Sequence, residues 1–347
     1  MWLYLAVFVG LYYLLHWYRE RQVLSHLRDR YVFITGCDSG FGKLLARQLD
    51  ARGLRVLAAC LTEKGAEQLR DQTSDRLETV TLDVTKTESV VAAAQWVKER
   101  VGDRGLWGLV NNAGISLPVA PNELLTKQDF VTILDVNLLG VIDVTLSLLP
   151  LVRKAKGRVV NVSSICGQGV TFWWRLLHLQ VWRGSLLRLP QVWFWDEACP
   201  SLPAPVFVGK SFPGSSLNPS LRELSYFGVK VAMIEPGYFK TAVTSKERFL
   251  KSFLEVWDRS SPEVKQIYGE KFVASYKKSA EQLEQTCTQD LSLVTNCMEH
   301  ALIACHPRTR YSAGWDAKLL YLPMSYMPTF LVDAIIYWGS PSPAKAL

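Results

Sequence analysis

The glycine-rich segment at residues 36–42 constrains the fold of this chain more than any other feature. It directly follows the short apolar run Tyr-Val-Phe-Ile-Thr at 31–35 and opens into an amphipathic stretch at 43–52. Glycines let the backbone turn sharply, and the free N–H groups at the start of the following helix stabilise the charge of a pyrophosphate. A glycine-rich turn alone can be an ordinary loop. With a strand before it and a helix after it, the segment predicts a dinucleotide-binding unit.

Strand-like runs alternate with helix-like segments along most of the chain. Strands are predicted at 31–35, 55–59, 78–83, 108–111, 158–163 and 230–235. Helices are predicted at 40–52, 63–72, 87–101 and 127–152, with further helical stretches at 245–305. This alternation predicts an α/β fold with a Rossmann-like, doubly wound parallel sheet and helices on both faces, in one domain over residues 30–320.

Charge and cysteine content exclude two classes of site. The net charge is +7, but the basic residues are scattered, and the short cluster at 153–158 reads as a solvated face rather than a nucleic-acid surface. The seven cysteines form no CxxC pair. We therefore expect neither a nucleic-acid partner nor a metal site.

Both ends of the chain are apolar. Residues 2–18 are apolar or aromatic apart from His16, and Arg19 and Arg21 follow them. Basic residues after the run favour an uncleaved membrane anchor at 1–18 over a signal peptide, with the main domain on the cytosolic side. The C-terminal tail at 321–347 is interrupted by Pro323 and Pro328, so we expect a membrane-surface or buried element there.

Six motifs occur in a fixed order along the chain. They are Thr35-Gly-x-x-x-Gly-x-Gly42, Asp83 after a strand, Asn111-Asn-Ala-Gly114, Asn137 in Asp-Val-Asn-Leu-Leu-Gly, Ser163-Ser164, and Pro236-Gly-x-x-x-Thr241. Their identity and order resemble the short-chain dehydrogenases. The N-terminal anchor and Cys37-Asp-Ser-Gly-Phe-Gly42 resemble the branch that oxidises retinol and hydroxysteroids in the endoplasmic reticulum, and this closer resemblance covers roughly 1–170 and 219–347.

The resemblance implies a cofactor site at thirteen positions besides Asp83. They are Thr35, Gly36, Asp38, Ser39, Gly40, Phe41, Gly42, Asn112, Ala113, Gly114, Pro236, Gly237 and Thr241. Asp83 would contact the adenine, and 236–241 would hold the nicotinamide end. An aspartate after a strand is also a common helix cap, and an Asn-Gly-rich turn is often only a turn.

The end of the second predicted strand bears on the choice of dinucleotide. A basic residue there would meet the 2′-phosphate of NADP, and an acidic one would meet the free ribose hydroxyl of NAD. Residues 58–63 hold no arginine, which favours NAD, while Lys64 leaves NADP open.

The catalytic pattern implied by the resemblance is incomplete. Ser164 would hold the substrate oxygen and Asn137 would support a proton relay, but the positions of the family's Tyr-x-x-x-Lys hold Leu176 and Gln180. Tyr226 and Lys230 lie too late in the chain to replace them. His178 lies between leucines and reads as a packed or incidental residue rather than a substitute base.

Residues 168–218 break the pattern of the chain. This window holds five of the twelve tryptophans and a Pro/Ser/Gly-rich tail, without helical or alternating periodicity. Tryptophan has the single codon TGG, so shifting the frame over Trp173-Trp174-Arg175 gives glycines. If CTA encodes Leu176, the shifted frame gives Gly-Gly-Gly-Tyr-Cys-Ile-Ser-Lys, with Tyr over Leu176 and Lys over Gln180. We therefore hypothesise that residues 168–218 are a frameshifted, poorly packed insertion that lowers the stability of the domain.

Three functional hypotheses remain. The first is a membrane oxidoreductase that uses NAD to oxidise all-trans-retinol or an androgen-type 3α-hydroxysteroid, impaired in this chain. The second is a catalytically inactive dinucleotide-binding membrane protein, and the third is a misfolded product. Dimers often form in this family through the helix next to Tyr-x-x-x-Lys, but that helix is replaced here, so the sequence leaves open whether the chain forms a homo-oligomer.

Overall fold

The computed structural model describes residues 2–116, 118–164, 223–328, 330–332 and 334–335. Its centre is a seven-stranded sheet in the order β3-β2-β1-β4-β5-β6-β7, and every neighbouring pair is parallel. The strands are β1 Tyr31–Thr35, β2 Arg55–Cys60, β3 Leu77–Thr81, β4 Gly108–Asn111, β5 Arg158–Val162, β6 Lys230–Pro236 and β7 Arg310–Ala313. The predicted fold class is confirmed, and β7 is a strand that the sequence pattern did not indicate.

Helices cover both faces of the sheet. They are α1 Trp2–Glu20, α2 Gly40–Ala51, α3 Glu63–Arg70, α4 Thr87–Val101, α5 Lys127–Leu134, α6 Gly140–Lys154, α7 Lys246–Arg259, α8 Pro262–Thr286, α9 Ser292–Ile303 and α10 Leu322–Ser325. One face packs against α2 and α9 through residues such as Leu49 and Met298. The other packs against α4 and α6 through residues such as Val97 and Leu148. At about 1.5–3 kcal/mol for each large apolar side chain, these two layers supply most of the stabilising burial.

Local sequence signals set several helix starts. The Thr62 hydroxyl accepts a hydrogen bond from the Gly65 N–H at the start of α3. Thr126 and Asp129 form a capping box at the start of α5. Such caps satisfy N–H groups that the first turn of a helix leaves unpaired, which fixes where each helix begins.

The order of the strands in the sheet runs outward from β1 in both directions. Because β2 and β3 lie to one side of β1 and β4 to β7 lie to the other, a crevice opens at the C-terminal ends of β1 and β4. Ligands of doubly wound sheets bind in such a crevice. The edge at which the strands end is called the C-terminal edge below, and the opposite one the N-terminal edge.

Among the described residues, one helical segment is long and apolar enough to cross a membrane by length and composition, Lys127–Lys154, with mean hydropathy 1.8. Its residues Val144, Leu148 and Val152 are buried against the sheet, so core packing accounts for this apolar character. The predicted anchor forms α1 instead, and its apolar side chains are exposed, with Phe8 73% and Leu15 58% accessible.

The C-terminal end of α1 is tied to the domain. The His300 ring nitrogen Nε2 lies 2.8 Å from the Glu20 carbonyl oxygen, and the Arg308 guanidinium pairs with the Glu20 carboxylate. Beyond the helix, Leu24 N–H donates to the Ile303 carbonyl (2.9 Å) and Cys305 N–H to that of Gln22 (2.8 Å). The chain therefore passes from α1 into the domain through a hydrogen-bonded connection.

A further apolar cluster lies apart from the two layers on the sheet. It is formed by α7, α8 and the loop at 118–124, and Phe253 stacks on Tyr276 with ring centroids 3.9 Å apart. The Tyr276 hydroxyl donates to the Val119 carbonyl (2.8 Å), and burial raises the pKa of that hydroxyl. The helix α8 is kinked at Gly269, which has φ +72°.

Candidate cofactor and catalytic site

The glycine turn after β1 is too crowded for side chains. A Cβ at Gly36, where φ is +72°, would lie 2.8 Å from the Ala113 Cα, and one at Gly42 would lie 2.3 Å from the Gly36 carbonyl oxygen. Gly40 has φ +62°, a conformation that L side chains rarely adopt. The turn therefore needs glycine at all three predicted positions.

The first turn of α2 faces the crevice without a side-chain cap. Ser39 is the N-cap residue, in extended conformation, and its hydroxyl makes no capping hydrogen bond. The N–H groups of the first helical turn carry a partial positive charge and bind phosphate oxygens. Together with the bare glycine turn, this cradle fits the pyrophosphate of a dinucleotide.

Thr35 and Asn112 brace the turn from behind. The Thr35 hydroxyl accepts hydrogen bonds from the N–H groups of Asn112 and Ala113, both at 3.0 Å. The Asn112 side-chain amide donates to the carbonyls of Thr35 (2.9 Å) and Gly36 (3.0 Å). These predicted site residues join the ends of β1 and β4, and Gly114 follows directly. The bonds of Asn112 assign it a role in shaping the cradle.

Asp38 reaches from the glycine turn to the end of β2. Its carboxylate accepts hydrogen bonds from the N–H groups of Leu61 (2.7 Å) and Thr62 (3.0 Å) and from the Thr62 hydroxyl (2.7 Å). A negative charge therefore stands at the strand end where a dinucleotide's ribose is recognised. The sequence pattern assigned Asp38 to the cofactor site but did not indicate that its carboxylate reaches the end of β2.

Asp83 follows β3 as expected. The Asp83 carboxylate accepts from the Thr85 hydroxyl (2.7 Å) and N–H (3.1 Å) and pairs with Lys86 at 3.3 Å. The Thr85 hydroxyl is the main cause that lowers the pKa of Asp83. These contacts order the turn that leads into α4, whose N-cap residue is Lys86, so Asp83 lies before the helix and is not its cap.

The Pro-Gly segment after β6 is held by a residue from far along the chain. Pro236 ends β6, and a Cβ at Gly237 would lie 2.0 Å from Asp316 Oδ1. The Tyr238 N–H donates to Asp316 Oδ2 (2.6 Å), and Asp316 is 6% exposed. Asp316 was not predicted as a functional residue. It shapes the segment assigned to the nicotinamide end.

Two contacts bring this segment against the glycine turn. The rings of Phe41 and Phe239 meet edge to face with centroids 5.6 Å apart. A Cβ on Gly40 would lie 3.9 Å from the Thr241 Cγ2, and the Thr241 N–H donates to the Thr244 hydroxyl (2.9 Å) at the start of a short helical turn. The predicted residues at 36–42 and 236–241 are therefore adjacent in space, although about 200 residues separate them.

Asn137 lies in a turn of π-helix at Asp135–Leu139, between α5 and α6. Its amide oxygen accepts from the Ile115 N–H (2.9 Å), and its amide nitrogen donates to the Ile115 carbonyl (2.7 Å). Single π-helical turns often occur at functional sites. In this chain, both bonds fix the segment that follows Gly114.

Ser164 lies two residues beyond the end of β5, at the same edge of the sheet as the glycine turn. Below it, the Asn111 amide donates to Thr145 Oγ1 (2.9 Å) and to Asn161 Oδ1 (2.8 Å). Asn161 Nδ2 has no hydrogen-bond partner among the described residues. This buried polar cluster, which the sequence did not predict, joins β4 and β5 close to the strand end that Ser164 follows.

The positions expected for the tyrosine and lysine, Leu176 and Gln180, lie outside the described residues, as do His178 and the window 168–218. Tyr226 and Lys230 lie at the N-terminal edge of the sheet, where the Lys230 ammonium donates to the Cys305 carbonyl (2.7 Å). The structure thus agrees that these two residues cannot replace the missing pair. Within the described ranges, no cluster of three or more His, Cys, Asp or Glu residues could hold a metal ion.

Sequence comparison places this chain in a known family. The model of the family described as short chain dehydrogenase matches residues 30–175. The chain is 81% identical to human retinol dehydrogenase 16 (Homo sapiens), over all of both sequences. It is 64% identical to retinol dehydrogenase 7 of Rattus norvegicus and 56% identical to human 17-beta-hydroxysteroid dehydrogenase type 6, again over the full length of each chain.

Solved structures share the fold at low sequence identity. A short-chain dehydrogenase from Streptomyces avermitilis superposes with a TM-score of 0.61 at 23% identity, covering 89% of this chain and 94% of that one. A short chain dehydrogenase/reductase from Burkholderia phymatum in complex with NAD gives a TM-score of 0.58 at 17% identity, covering 93% and 100%.

Proposed function

The chain belongs to the short-chain dehydrogenase family of oxidoreductases, and from that premise we propose that its fold serves the NAD-dependent oxidation of a lipophilic alcohol. The substrates proposed are all-trans-retinol and a 3α-hydroxysteroid, because close relatives bear the names of retinol and hydroxysteroid dehydrogenases. The observation that carries the proposal is the bare glycine cradle, which lies beside both the segment at 236–241 and the uncapped start of α2.

NAD is the proposed cofactor, and Asp38 is the reason. Its carboxylate at the end of β2 would repel a 2′-phosphate and would accept a hydrogen bond from a free ribose hydroxyl. The matched variants Asp38→Asn and Lys64→Gln test this by titration of the chain with NADH and NADPH. Asp38→Asn is expected to raise the affinity for NADPH relative to NADH by about tenfold, the effect of roughly 1.4 kcal/mol. An unchanged ratio in this variant would remove the basis for preferring NAD.

The chemistry assigns separate tasks to the residues of the site. A bound nicotinamide dinucleotide would accept the hydride from the alcohol carbon. The Ser164 hydroxyl would hold the substrate oxygen at the end of β5, while Asn137, through Ile115, keeps the loop after Gly114 in place. The hydroxyl proton still needs an acceptor. An apolar Leu176 cannot take a proton and Gln180 cannot lower the pKa of a base, so this chain is proposed to be impaired.

Activity measurements distinguish the candidate functions. The full chain is compared with a version whose window 168–218 is re-encoded in the neighbouring reading frame, using all-trans-retinol and androsterone with NAD. Turnover in the re-encoded version alone is the expected result. Comparable turnover in both would show that another residue acts as the base. Saturable NADH binding without turnover in either version would favour the second candidate, an inactive dinucleotide-binding protein.

The frameshift proposal has its own test. The family match ends at residue 175, one position before the expected tyrosine, which supports a break in the pattern at that point. Sequencing the transcript across 168–218 should reveal codons that encode tyrosine and lysine in the neighbouring frame. Codons that cannot encode them would refute the proposal.

We also propose that α1 anchors the chain in the membrane of the endoplasmic reticulum, with the domain on the cytosolic side. The 19 residues of α1 extend about 28 Å at 1.5 Å per residue, and apolar side chains such as Tyr4, Phe8 and Leu15 are exposed along it. The tail at 321–347 begins in a described segment that exposes Tyr326 and Phe330, and it would lie on the membrane surface. Alkaline extraction of microsomes and protease protection test these assignments. Release of the chain by carbonate would contradict the anchor.

A further inference from the structure

A basic cleft lies at the N-terminal edge of the sheet, opposite the cofactor cradle. Four arginines, Arg28, Arg52, Arg55 and Arg76, line it together with Asp29 and Gly53, and its volume is about 450 Å³. It is formed where α2 ends and β2 begins. We name it the arginine cleft, and nothing in the proposed reaction uses it.

Two of the four arginines lack an acidic partner. Arg52 pairs with Glu299 at 2.7 Å and Arg76 with Asp50 at 3.7 Å. Among the described residues, no carboxylate lies within ion-pair distance of Arg28 or Arg55. An unpaired guanidinium offers several N–H donors in a planar fork that matches the oxygens of a phosphate.

The acidic groups around the cleft are already engaged. The Asp29 carboxylate, which also lines the cleft, lies 3.6 Å from the Arg104 guanidinium outside it. The Asp50 carboxylate accepts hydrogen bonds from the Ser74 N–H (2.8 Å) and hydroxyl (2.5 Å). The local charge is therefore positive, and the ligand that fits it is an anion.

The floor of the cleft stays open because Gly53 lies there. It has φ +88°, and a Cβ at this position would lie 3.4 Å from the Arg28 Cγ. A side chain would therefore occupy the space beside the stem of Arg28 as well as straining the backbone. The volume lies within the range of small-molecule sites, which is enough for the phosphate group and polar part of a lipid.

The cleft lies beside the end of the proposed anchor. Arg52 pairs with Glu299, and the next residue, His300, contacts the carbonyl of Glu20 at the last turn of α1. Arg28 follows Glu20 by only eight residues. The membrane that holds α1 is therefore the nearest source of phosphate groups at high local concentration.

From these observations we propose that the arginine cleft binds the headgroup of an anionic phospholipid in the membrane that holds α1. This inference rests on the proposed anchor. Arginines near an anionic surface contribute about 1 kcal/mol each, so losing two is expected to lower the preference for anionic lipid roughly 30-fold. Attraction of this kind is weakened by salt, because the cleft is open to solvent.

The test uses the full chain in nanodiscs of phosphatidylcholine, with and without phosphatidylserine. The readout is the ratio of phosphatidylserine to phosphatidylcholine retained through detergent exchange, measured by mass spectrometry. The variants are Arg28→Gln/Arg55→Gln, the charge-retaining Arg28→Lys/Arg55→Lys, and the control Arg248→Gln/Lys277→Gln, which removes the same charge from exposed positions on α7 and α8. Hydrogen exchange at 51–56 in the unmodified chain provides a readout that needs no variant.

Enrichment of phosphatidylserine in the unmodified chain and the control, with loss in the Gln/Gln variant, is the expected result. Phosphatidylserine should also slow hydrogen exchange at 51–56. Equal enrichment in the Gln/Gln variant, or none in the unmodified chain, would overturn the proposal. Protection of the same segment by inorganic phosphate in phosphatidylcholine nanodiscs, without lipid enrichment, would assign the cleft to a free anion. Failure of the chain to enter nanodiscs at all would refute the anchor, which separates the two proposals.

Discussion

Replacing Gly237 by alanine gives the most direct test of how the Pro-Gly segment is held. The added Cβ would lie 2.0 Å from Asp316 Oδ1 and 2.3 Å from both Cγ and Oδ2. The backbone at Gly237 does not have a positive φ, so alanine meets no conformational barrier there. The whole effect of the substitution should therefore arise from the clash with one buried carboxylate.

The structure sets the size of this effect. Overpacking a buried position costs about 1–3 kcal/mol, and losing a hydrogen bond to a charged group costs about 1.5–3 kcal/mol. Displacing Asp316 breaks its bond with the Tyr238 N–H, so Gly237→Ala should destabilise the domain by about 2.5–6 kcal/mol. Asp316→Ala should cost only the hydrogen-bond contribution of about 1.5–3 kcal/mol, because it removes the carboxylate that clashes with the new Cβ together with the hydrogen-bond acceptor.

The variants Gly237→Ala, Asp316→Ala and the double variant form a double-mutant cycle, and thermal unfolding of the detergent-solubilised full chain measures their stabilities. Gly237→Ala should lower the midpoint temperature strongly, and the double variant should unfold near Asp316→Ala alone. Gly10→Ala is the matched control, since no atom lies within 4 Å of the added Cβ and α1 stands outside the core. Additive losses in the double variant would show that Asp316 is not what Gly237 accommodates, and the reasoning would fail.

Three further results are expected. Gly42→Ala should abolish dinucleotide binding, measured by NADH fluorescence, because its Cβ would lie 2.3 Å from the Gly36 carbonyl oxygen; retained affinity would contradict the cradle. Asn137→Ala removes both hydrogen bonds to Ile115 and should destabilise the fold by about 1–3 kcal/mol in urea unfolding, whereas an unchanged midpoint would argue against this role. The pKa of Asp83 is lowered chiefly by the Thr85 hydroxyl, so its carboxylate stabilises the folded state above the unfolded pKa of about 4, and this contribution is lost as pH falls through the folded pKa. In Asp83→Asn, the free energy of unfolding should therefore fall less steeply as the pH drops below about 4. An unchanged dependence of stability on acidic pH would refute this role of Asp83.

Features encoded locally were predictable from the sequence. The glycine turn, six of the strands and the helices between them depend on neighbouring residues, and the spacing of glycines and apolar side chains reveals them. The resemblance to a family assigned 36–42 and 236–241 to one cofactor site, but their direct contact was not predicted. Neither periodicity nor composition indicates a contact across about 200 residues.

Features that depend on distant contacts were missed. Asp316 follows a turn in a segment without a motif, and only folding brings it to the Tyr238 N–H. Asn111 ends β4 and Asn161 lies one residue before the end of β5, and the sequence does not specify that these strands pair. The role of Asp38 was missed for a similar reason, because its carboxylate acts on a turn 23 residues later. The strand β7 is four residues long and too short to show a period.

The junction at Glu20 has a mechanical consequence. A flexible linker between a membrane helix and the domain would let the domain rotate freely relative to the membrane. Here the last turn of α1 is clamped by His300 and Arg308, and the chain beyond it is hydrogen-bonded to the end of α9. If α1 is embedded as proposed, this hydrogen-bonded junction would restrict rotation of the domain relative to the bilayer. The domain would then present a constant side to a lipophilic substrate that diffuses within the lipid plane.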